Sequence, residues 1–316
     1  METKDINNNS EYNEIDLTLI FSILWKRKIF ITIFTGIFAV SSVFYALSLP
    51  NYYQSSLLFN VIEEEQSSFD SLASQYGGLA SMAGLDIPQS SSKDKSSLII
   101  FTIESREFLK HLLSFDDVLE NIVATKNFDQ SNQSIVYDED IYNPIEKKWI
   151  RDVKYPLQKI PSYLEAHEIF MNNMINITQD RKSGFITVSI KHISPIFASE
   201  LLELIVNQIN QLIKDNDLNE SLLAIKYLDE QSENNPSKNI KNSITSIYET
   251  QLRKQMMANI RSEYIINVID APFVPEKKIG PSRSIICILI TLIAGVLAII
   301  ISIARYFLFE GKIDSN

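Results

Sequence analysis

The sequence predicts an α+β domain with long helices, flanked by two transmembrane helices. Three observations lead to this fold class. Two uninterrupted apolar runs lie near the ends of the chain, a strand pattern passes into helical patterns between residues 182 and 262, and most of the polar sequence lies between the two runs. At 316 residues, the chain is long enough for this central region to bury a core of its own.

The two apolar runs have the length of membrane-spanning helices. The first covers residues 29–49, and the second extends from Ile285 to Ala304. Each has about 20 residues, which at ~1.5 Å per residue crosses a hydrocarbon layer of ~30 Å. Two alternatives fit less well, because buried core helices of this length usually carry charges and the apolar run of a cleaved signal peptide is about half as long. The predicted order is a cytoplasmic segment over residues 1–28, a transmembrane helix over 29–49, an external domain over 50–284, a second transmembrane helix over 285–307 and a cytoplasmic tail over 308–316.

Charges beside the first run predict its orientation. Three consecutive cations, residues 26–28, precede it, whereas three consecutive glutamates, residues 63–65, follow it. By the positive-inside rule, the N-terminus stays in the cytoplasm and the second span returns the C-terminus there. The two cytoplasmic ends are too short to fold into a domain. Nearly everything that can fold is therefore predicted to lie outside the cytoplasm.

The charge and the cysteine content narrow the range of partners. The chain carries 39 acidic and 29 basic residues, which gives a net charge of −10. A nucleic-acid-binding domain would present a basic face, so this class is excluded. The single cysteine, Cys287, lies in the second apolar run, so no disulfide is predicted in the external domain. The lipid bilayer is the partner that the composition itself requires.

The first half of the external domain is predicted to mix strands and helices. Residues 52–62 are rich in β-branched and aromatic side chains and predict a strand. Residues 66–97 are small and polar, and they favour either a mobile loop or a short helix packed through small residues. Residues 97–114 predict one amphipathic helix, and residues 127–160 predict a variable connecting region. The expected apolar face of that helix comprises Phe101, Phe108, Leu109, Leu112 and Leu113.

The clearest fold pattern begins with residues 182–192, which alternate between apolar and polar side chains and predict a strand. Ser194 and Pro195 follow as a helix N-cap and a first-turn proline. The apolar face of the strand is formed by Ile186, Val188 and Ile190.

Helical patterns then cover residues 196–214 and 218–228, and a third runs from about 237 to 262. A break is predicted at Asn234, Asn235 and Pro236, because proline and its predecessor disfavour helix. The last helix carries only a thin apolar stripe, so it needs a partner, either the preceding helix or another subunit. The stripe consists of Ile240, Ile244, Ile247, Leu252, Met256 and Ile260.

Residues 271–284, here called the collar, link a last predicted strand over residues 262–270 to the second apolar run. Pro272, Pro275 and Pro281 cannot donate backbone hydrogen bonds, and their φ angles are fixed near −65°. We predict that the collar is stiff and keeps the domain and the second span in a defined relationship. Its cations are expected at the level of the lipid headgroups: Lys277, Lys278 and Arg283.

No set of residues has the spacing of a catalytic or metal-binding site. His111, His167 and His192 stand apart from one another, and the GxxxxGK[ST] phosphate loop is absent. The acidic triplet at residues 138–140 lacks EF-hand spacing and is predicted to be a solvated surface. We predict no catalytic residue, no metal ion and no cofactor.

The order of these features resembles the polysaccharide co-polymerases, the Wzz-like chain-length determinants of bacterial surface polysaccharides. The resemblance rests on the cations before the first span, the strand–Ser–Pro–helix unit GFITVSIKHISPIFASELLELIVNQIN, the segment SLASQYGGLASMAGL, and the proline-rich lead into a second span that contains Gly295. It covers the whole chain in order. The family's final run resembles P-x-x-P-x-x-P-S-x, whereas five residues here separate Pro275 from Pro281.

The resemblance implies a non-enzymatic regulator of the chain length of O-antigen or a similar surface glycan, of the short class without a kinase domain. It implies a homo-oligomeric ring in the bacterial inner membrane, with the main domain in the periplasm, that acts as a scaffold with an integral-membrane polysaccharide polymerase. Whether the growing glycan contacts this chain or only the polymerase stays open. The residues expected to matter are Pro272, Pro275, Pro281 and Gly295.

Two other functions stay open on the residues alone. One is a two-span sensor or adaptor whose periplasmic domain binds a ligand or a partner. With such short cytoplasmic ends, it would signal only through another protein. The other is a glycan hydrolase that uses scattered carboxylates, which would require paired acids on a common face.

Overall fold

The computed structural model describes residues 24–62, 92–234, 238–261 and 263–306. The predicted fold class is confirmed, because strands and long helices lie between two apolar helices. In chain order, the elements are α1 (Lys28–Ser48), β1 (Tyr52–Val61), α2 (Ser92–Glu104), α3 (Arg106–Leu112), α4 (Val118–Val123), β2 (Thr125–Asp129), β3 (Ser134–Tyr137), β4 (Tyr142–Asn143), β5 (Lys148–Trp149), α5 (Tyr163–Ile169), a π-helical turn (Phe170–Met174), β6 (Ile175–Gln179), β7 (Ile186–His192), α6 (Pro195–Asn234), α7 (Lys238–Ile260), β8 (Ile266–Asp270), β9 (Lys278–Gly280) and α8 (Arg283–Arg305).

Helices α1 and α8 form the first of two compact units. This helix unit combines Met1–Leu49 with Gly280–Asn316. Both helices are long and apolar enough to cross a membrane, judged by length and composition. Only 11% of the most apolar stretch of each helix is buried, which argues against two core helices. Helix α8 begins at Arg283, slightly before the predicted span.

The second unit, Pro50–Ile279, is called the sheet unit because a largely antiparallel sheet forms its centre. The strand order is β6–β7–β1–β8, and β9 also pairs with β1. Strand β1 pairs with β7 from Tyr53 to Phe59, and with β8 from Leu58 to Val61. The strand that follows α1 therefore occupies the middle of the sheet.

The predicted strand at residues 182–192 is confirmed as β7, and its alternation sets the core. Ile186, Val188 and Ile190 are fully buried, as are Leu57 and Phe59 of β1. These side chains share one apolar cluster with the inner face of α6, which presents residues such as Leu201, Leu202 and Ile205. Since burial of each large apolar side chain contributes about 1.5–3 kcal/mol, this helix–sheet layer is the main source of stability.

Residues 97–114 form the end of α2 and all of α3, not the single predicted helix. The chain breaks at Ser105, whose Oγ accepts a 3.1 Å hydrogen bond from the backbone N–H of Phe108 and so caps α3. The inner face of α2 consists of Ile99 and Ile103, so Phe101 on the opposite side is 67% exposed and its predicted burial is wrong. The remaining predicted residues are buried (Phe108, Leu109 and Leu112) or partly buried (Leu113).

Residues 127–160 are more ordered than the predicted connecting region. Strands β2 and β3 form one hairpin, and β4 pairs with β5. Tyr142 and Trp149 pack with Ala124 in a second, small core, and their rings lie 5.1 Å apart. These buried aromatic side chains give a small core to a segment whose polar composition suggested a loop.

Helix α6 is continuous over 40 residues, which corresponds to about 60 Å. Ser194 caps it as predicted, because its Oγ accepts a 3.2 Å hydrogen bond from the N–H of Phe197. The predicted interruption between residues 214 and 218 is absent, since that stretch contains neither glycine nor proline. The helix ends at Asn234, where a break was predicted, while residues 235–237 lie outside the described ranges.

Some predictions fall on residues that the structure does not describe. These are the segment SLASQYGGLASMAGL, most of residues 66–97, and the glutamates at residues 63–65. The end of the 66–97 segment belongs to α2, which begins at Ser92. The predicted strand over residues 262–270 is shorter than expected, because β8 begins only at Ile266.

Candidate functional site

Small side chains allow α1 and α8 to pack closely within the helix unit. Ala294, Ala298 and Ser302 follow one another at four-residue intervals on α8, and each is at most 2% exposed. On α1, Ser42 and Ala46 are equally buried. Without a hydrophobic driving force between helices in lipid, such small residues let backbones approach and gain van der Waals contact.

Gly295 lies within this small-residue packing. A Cβ atom added to Gly295 would lie 3.5 Å from Cγ2 of Thr35, which is ordinary van der Waals contact. Alanine therefore fits at this position, whereas a branched side chain would push against α1. Gly36 differs, because an added Cβ there would meet nothing within 4 Å. The structure places the predicted residue between the two helices, and its effect on function stays a prediction.

The three collar prolines do not form one cluster. Pro272 is partly buried and Pro275 is buried, both in the sheet unit, whereas Pro281 belongs to the helix unit. The backbone between Pro272 and Pro275 is bonded to the sheet, because the carbonyl of Phe273 accepts a 2.7 Å hydrogen bond from Oγ of the fully buried Ser55. The first part of the collar is therefore anchored to β1, while its stiffness stays a prediction.

Two collar cations bond to polar groups near the end of α1. Nη2 of Arg283 donates a 3.2 Å hydrogen bond to the carbonyl of Leu49, the C-cap residue of α1. A cation at this position satisfies a helix C-terminal carbonyl and complements the negative end of the helix dipole. Nζ of Lys278 donates to Oδ1 of Asn51 at 3.2 Å, and Lys277 is exposed.

The long helices α6 and α7 are held together by polar bonds around Asp217. Its Oδ1 pairs with Nζ of Lys254 at 2.7 Å, and its Oδ2 accepts a 2.7 Å hydrogen bond from the hydroxyl of Tyr264. One turn further along α6, Oγ of the fully buried Ser221 donates to the carbonyl of Gln251 at 3.0 Å. Polar contacts thus join the two helices directly.

The predicted stripe on α7 is only partly used by the chain itself. Leu252, Met256 and Ile260, spaced four residues apart, are 39%, 61% and 76% exposed and are called the outer stripe. The helix instead meets α6 through the side chain of Lys254 and the backbone carbonyl of Gln251, and it buries Ala258. The alternative in which the stripe packs on the preceding helix is therefore wrong for these three residues.

A polar groove of about 790 Å³ lies in the sheet unit beside α6. One side of it is a row of exposed polar side chains at four-residue intervals on α6, namely Glu203, Asn207, Gln211 and Asp215. Glu263, Val268 and Pro272 contribute to the lining from the chain around β8. The polar groove thus contains one of the predicted site residues, Pro272, in a role that the sequence did not indicate.

Asn210 connects the polar groove to the sheet. Its side chain is only 8% exposed, and its Oδ1 accepts hydrogen bonds of 3.0 Å from the backbone N–H groups of both Ile265 and Ile266. The sequence analysis did not single out Asn210, which follows Ile209 on the buried side of α6. A polar residue at a core position is the signal that would have found it.

The three histidines serve structural contacts. His192 is 5% exposed, its Nδ1 accepts from the N–H of Ser194 at 3.0 Å, and its Nε2 lies 3.0 Å from the carbonyl of Asn121. Burial lowers the pKa of His192 to about 4, because the charged form would lose its hydration. Nε2 of His111 lies 2.7 Å from Oε1 of Gln208, and Nε2 of His167 lies 2.8 Å from the carbonyl of Glu104.

The acidic residues that could suggest chemistry are also placed structurally. Asp138 pairs with Lys126 at 2.9 Å, and its hydrogen bond from Lys126 holds the pKa of the Asp138 carboxyl below its usual range. Glu165 accepts two hydrogen bonds from the guanidinium of the partly buried Arg151. Within the described ranges, no group of three or more His, Cys, Asp or Glu residues is placed to hold a metal ion.

Comparison with known proteins gives one informative match. The sequence model described as "Wzz: Chain length determinant protein" matches residues 13–114, which include α1, β1 and the α2–α3 pair. The match covers roughly a third of the chain. A search of curated protein sequences finds no match.

Solved structures with weak likeness include two co-polymerases. A full-length bacterial polysaccharide co-polymerase has 13% sequence identity and a TM-score of 0.40, with 93% of this chain and 97% of that chain covered. A fragment of WzzB, a polysaccharide co-polymerase from Salmonella Typhimurium, has 11% identity and a TM-score of 0.29, with 73% of this chain and 100% of that chain covered. Because these TM-scores are low, the two structures carry no argument, and the family match is the relevant finding. Over residues 13–114, the chain carries the sequence pattern of the Wzz chain length determinants. The resemblance predicted from its sequence is therefore confirmed.

Proposed function

We propose that the chain regulates the chain length of a bacterial surface polysaccharide, O-antigen or a similar glycan, without catalysing a reaction itself. The observation that carries this proposal is the match of residues 13–114 to the chain length determinant family. The matched segment contains α1 and the central strand β1, so it includes parts of both compact units.

The proposed location is the bacterial inner membrane, with the sheet unit in the periplasm and both termini in the cytoplasm. Two apolar helices of 21 and 23 residues support a two-pass arrangement. The cations at residues 26–28 support a cytoplasmic N-terminus through the positive-inside rule. The bilayer is then a partner of both helices.

The proposed assembly is a homo-oligomeric scaffold that acts with an integral-membrane polysaccharide polymerase. The outer stripe supports a partner for α7, because Leu252, Met256 and Ile260 form an exposed apolar row on a helix of about 35 Å. A second copy of the chain is the proposed occupant. Within this scaffold, we propose that Gly295 permits close packing of the spans and that Pro272, Pro275 and Pro281 stiffen the collar.

The absence of catalysis is proposed from what the reactive side chains do. His192 is buried in a network with Asn121 and Ser194, and Asp217 is engaged by Lys254 and Tyr264. These contacts engage two of the side chains that acid–base chemistry could otherwise use. The chain would therefore set chain length by holding the polymerase and its copies in place.

Deleting the gene and separating the surface polysaccharide by gel electrophoresis tests the proposal. We expect a clustered distribution of chain lengths to become broad, and the wild-type gene to restore it. An unchanged distribution of every surface polysaccharide would contradict the proposal and favour a sensor or adaptor.

Two variants of the same gene test the scaffold. Met256→Glu places a charge on the outer stripe, whereas Ser246→Glu places the same charge on an exposed site of α7 about 15 Å away along the helix. We expect Met256→Glu to reduce the size of the detergent-extracted assembly and to fail to restore chain length, and Ser246→Glu to behave as wild type. Equal behaviour of both variants would contradict the role of the outer stripe.

A further inference from the structure

The polar groove has the chemistry of a site for hydroxyl groups. Asn207 and Gln211 each offer an amide oxygen that accepts and an amide nitrogen that donates, and the acceptors Glu203 and Asp215 flank them along α6. At ~1.5 Å per residue, this row extends for about 18 Å. A ligand with closely spaced groups that both donate and accept hydrogen bonds matches such a row. The volume of the groove, about 790 Å³, lies in the range of small-molecule sites.

Asn210 provides a preorganised donor in the same groove. Its Oδ1 is occupied by the N–H groups of Ile265 and Ile266, which fixes the orientation of the amide. The residue lines the groove, and its Nδ2 keeps two donor hydrogens that no hydrogen bond to the described residues uses. A ligand hydroxyl in the groove can therefore accept from Nδ2.

The charge of the polar groove selects among polar ligands. Glu203, Asp215 and Glu263 line it, against the single cation Lys214. This excess of carboxylates disfavours phosphates, acidic sugars and anionic lipid headgroups. The apolar contacts are small, from side chains such as Val206, Val268 and Pro272, so the groove offers little to a large hydrophobic ligand.

We propose that the polar groove binds a short stretch of an uncharged, hydroxyl-rich glycan chain, an inference that rests on the proposed role in polysaccharide chain length. Asn207, Gln211 and Nδ2 of Asn210 donate to sugar hydroxyls, and the carboxylates of Glu203 and Asp215 accept from them. The chain thus contacts the polysaccharide directly, beside its proposed contact with the polymerase.

Titration calorimetry on the full-length protein in detergent tests this site. The probe is the surface polysaccharide of the cell that carries the gene, released from its lipid by mild acid and cut into fragments of one to three repeats. Polygalacturonate serves as a polyanionic comparison. We expect saturable binding of the fragments with little dependence on salt, because uncharged hydrogen bonds are not screened, and no saturable binding of polygalacturonate.

Two double variants on α6 provide the matched comparison. Asn207→Ala with Gln211→Ala removes two exposed groove side chains, whereas Asn219→Ala with Glu220→Ala removes two exposed side chains on the same helix outside the groove. We expect the groove variant to bind the fragments about 10- to 30-fold more weakly, as two lost hydrogen bonds imply, and the other variant to bind as wild type. Both should melt at the wild-type temperature.

Each other result overturns the inference. These results are no saturable binding, equal affinity of both double variants, or equally tight binding of polygalacturonate. The proposed function can fail independently of the glycan site. If deletion broadens the chain-length distribution while fragments do not bind, the proposed regulation of chain length is supported and the glycan site is rejected. If fragments bind in the groove while deletion changes no polysaccharide, the glycan site is supported and the proposed regulation of chain length is rejected.

Discussion

The hydroxyl of Tyr264 donates a 2.7 Å hydrogen bond to Oδ2 of Asp217 and so joins the chain that enters β8 to the middle of α6. The second carboxylate oxygen of Asp217 pairs with Lys254 of α7 at 2.7 Å. One side chain therefore connects two helices and the approach to a strand.

We expect Asp217→Ala to lower the free energy of unfolding by about 1–3 kcal/mol, because the nearly buried hydroxyl of Tyr264 loses its acceptor and Lys254 loses its partner. Urea unfolding of the full chain in detergent measures this change. Asp229→Ala, at an exposed carboxylate on the same helix, serves as the control and should leave stability within about 0.5 kcal/mol of wild type. A similar loss in both variants would show that the Asp217 contacts are dispensable.

The buried ring of His192 predicts a dependence of stability on pH. Its pKa is lowered to about 4 in the folded protein, against an ordinary value of 6.5, so the unfolded chain binds the extra proton first as the pH falls. Stability is thus fully present above pH 6.5 and is lost progressively as the pH falls toward 4. The expected loss between pH 7 and pH 5 is about 2 kcal/mol.

Unfolding of His192→Gln at both pH values measures this contribution. Glutamine can donate and accept but does not titrate, so this part of the pH dependence should disappear. His111→Gln, at an exposed histidine, should keep the wild-type pH dependence. If His192→Gln loses stability between pH 7 and pH 5 as steeply as wild type, another group is responsible.

The contact of position 295 with α1 predicts a limit on the size of the side chain that fits there. Gly295→Ala should be tolerated, because its Cβ would make ordinary contact with Thr35, whereas Gly295→Leu should separate the helices and broaden the distribution of polysaccharide chain lengths. Gly36→Leu is the matched control, since a Cβ at Gly36 meets nothing within 4 Å. Gel profiles of the polysaccharide, at equal amounts of membrane protein, report the effect. Unchanged chain lengths with Gly295→Leu would remove its proposed role.

The two prolines of the sheet unit should differ in their contribution to stability. Pro275 is buried and Pro272 only partly so, and we expect Pro275→Gly to cost about 1–2 kcal/mol from lost apolar burial and from the greater freedom of the unfolded chain. Pro144→Gly, at an exposed proline, carries only the second cost. Melting temperatures of the full chain compare the two single variants.

In the variant with both Pro272 and Pro275 changed to glycine, we expect a looser collar and a broader distribution of polysaccharide chain lengths. An unchanged distribution would show that stiffness is not the reason for these prolines.

Single cysteines test the proposed topology. In a Cys287→Ser background, which leaves the chain without cysteine, Tyr155→Cys places a thiol at a side chain that is 97% exposed in the sheet unit. A membrane-impermeant maleimide added from the periplasmic side should label this thiol and should not label Asn8→Cys in the N-terminal segment. Labelling only of Asn8→Cys would reverse the orientation.

Periodic patterns made much of this fold predictable. The strand at residues 182–192, its Ser194 cap and the two apolar helices each depend on side chains close together in the chain, and each was predicted. Phe101 was placed wrongly because a hydrogen bond from Phe108 to Ser105 restarts the helix, and the register of the inner face depends on where that break falls. The local periodicity of apolar residues does not indicate at which residue the helix breaks.

The candidate site was less predictable, because its residues are assembled by tertiary contacts. The prolines and Gly295 were singled out by the backbone chemistry of proline and by the family resemblance, and the structure divides them between two units. Asn210 and the row Asn207–Gln211 became recognisable only when β8 was placed beside α6, which brings residues more than 50 positions apart into hydrogen-bond distance. Polar residues on a helix otherwise resemble any solvated surface.

The position of strand β1 determines when the sheet can be completed during synthesis of the chain. It emerges early, yet Phe59 pairs with Val268, which is synthesised some 200 residues later. Until then, one side of β1 exposes unpaired amide and carbonyl groups that invite pairing with foreign strands. A ribosome that stops before residue 266 would release a membrane-anchored product with an open sheet edge, which proteases and chaperones can distinguish from the finished protein.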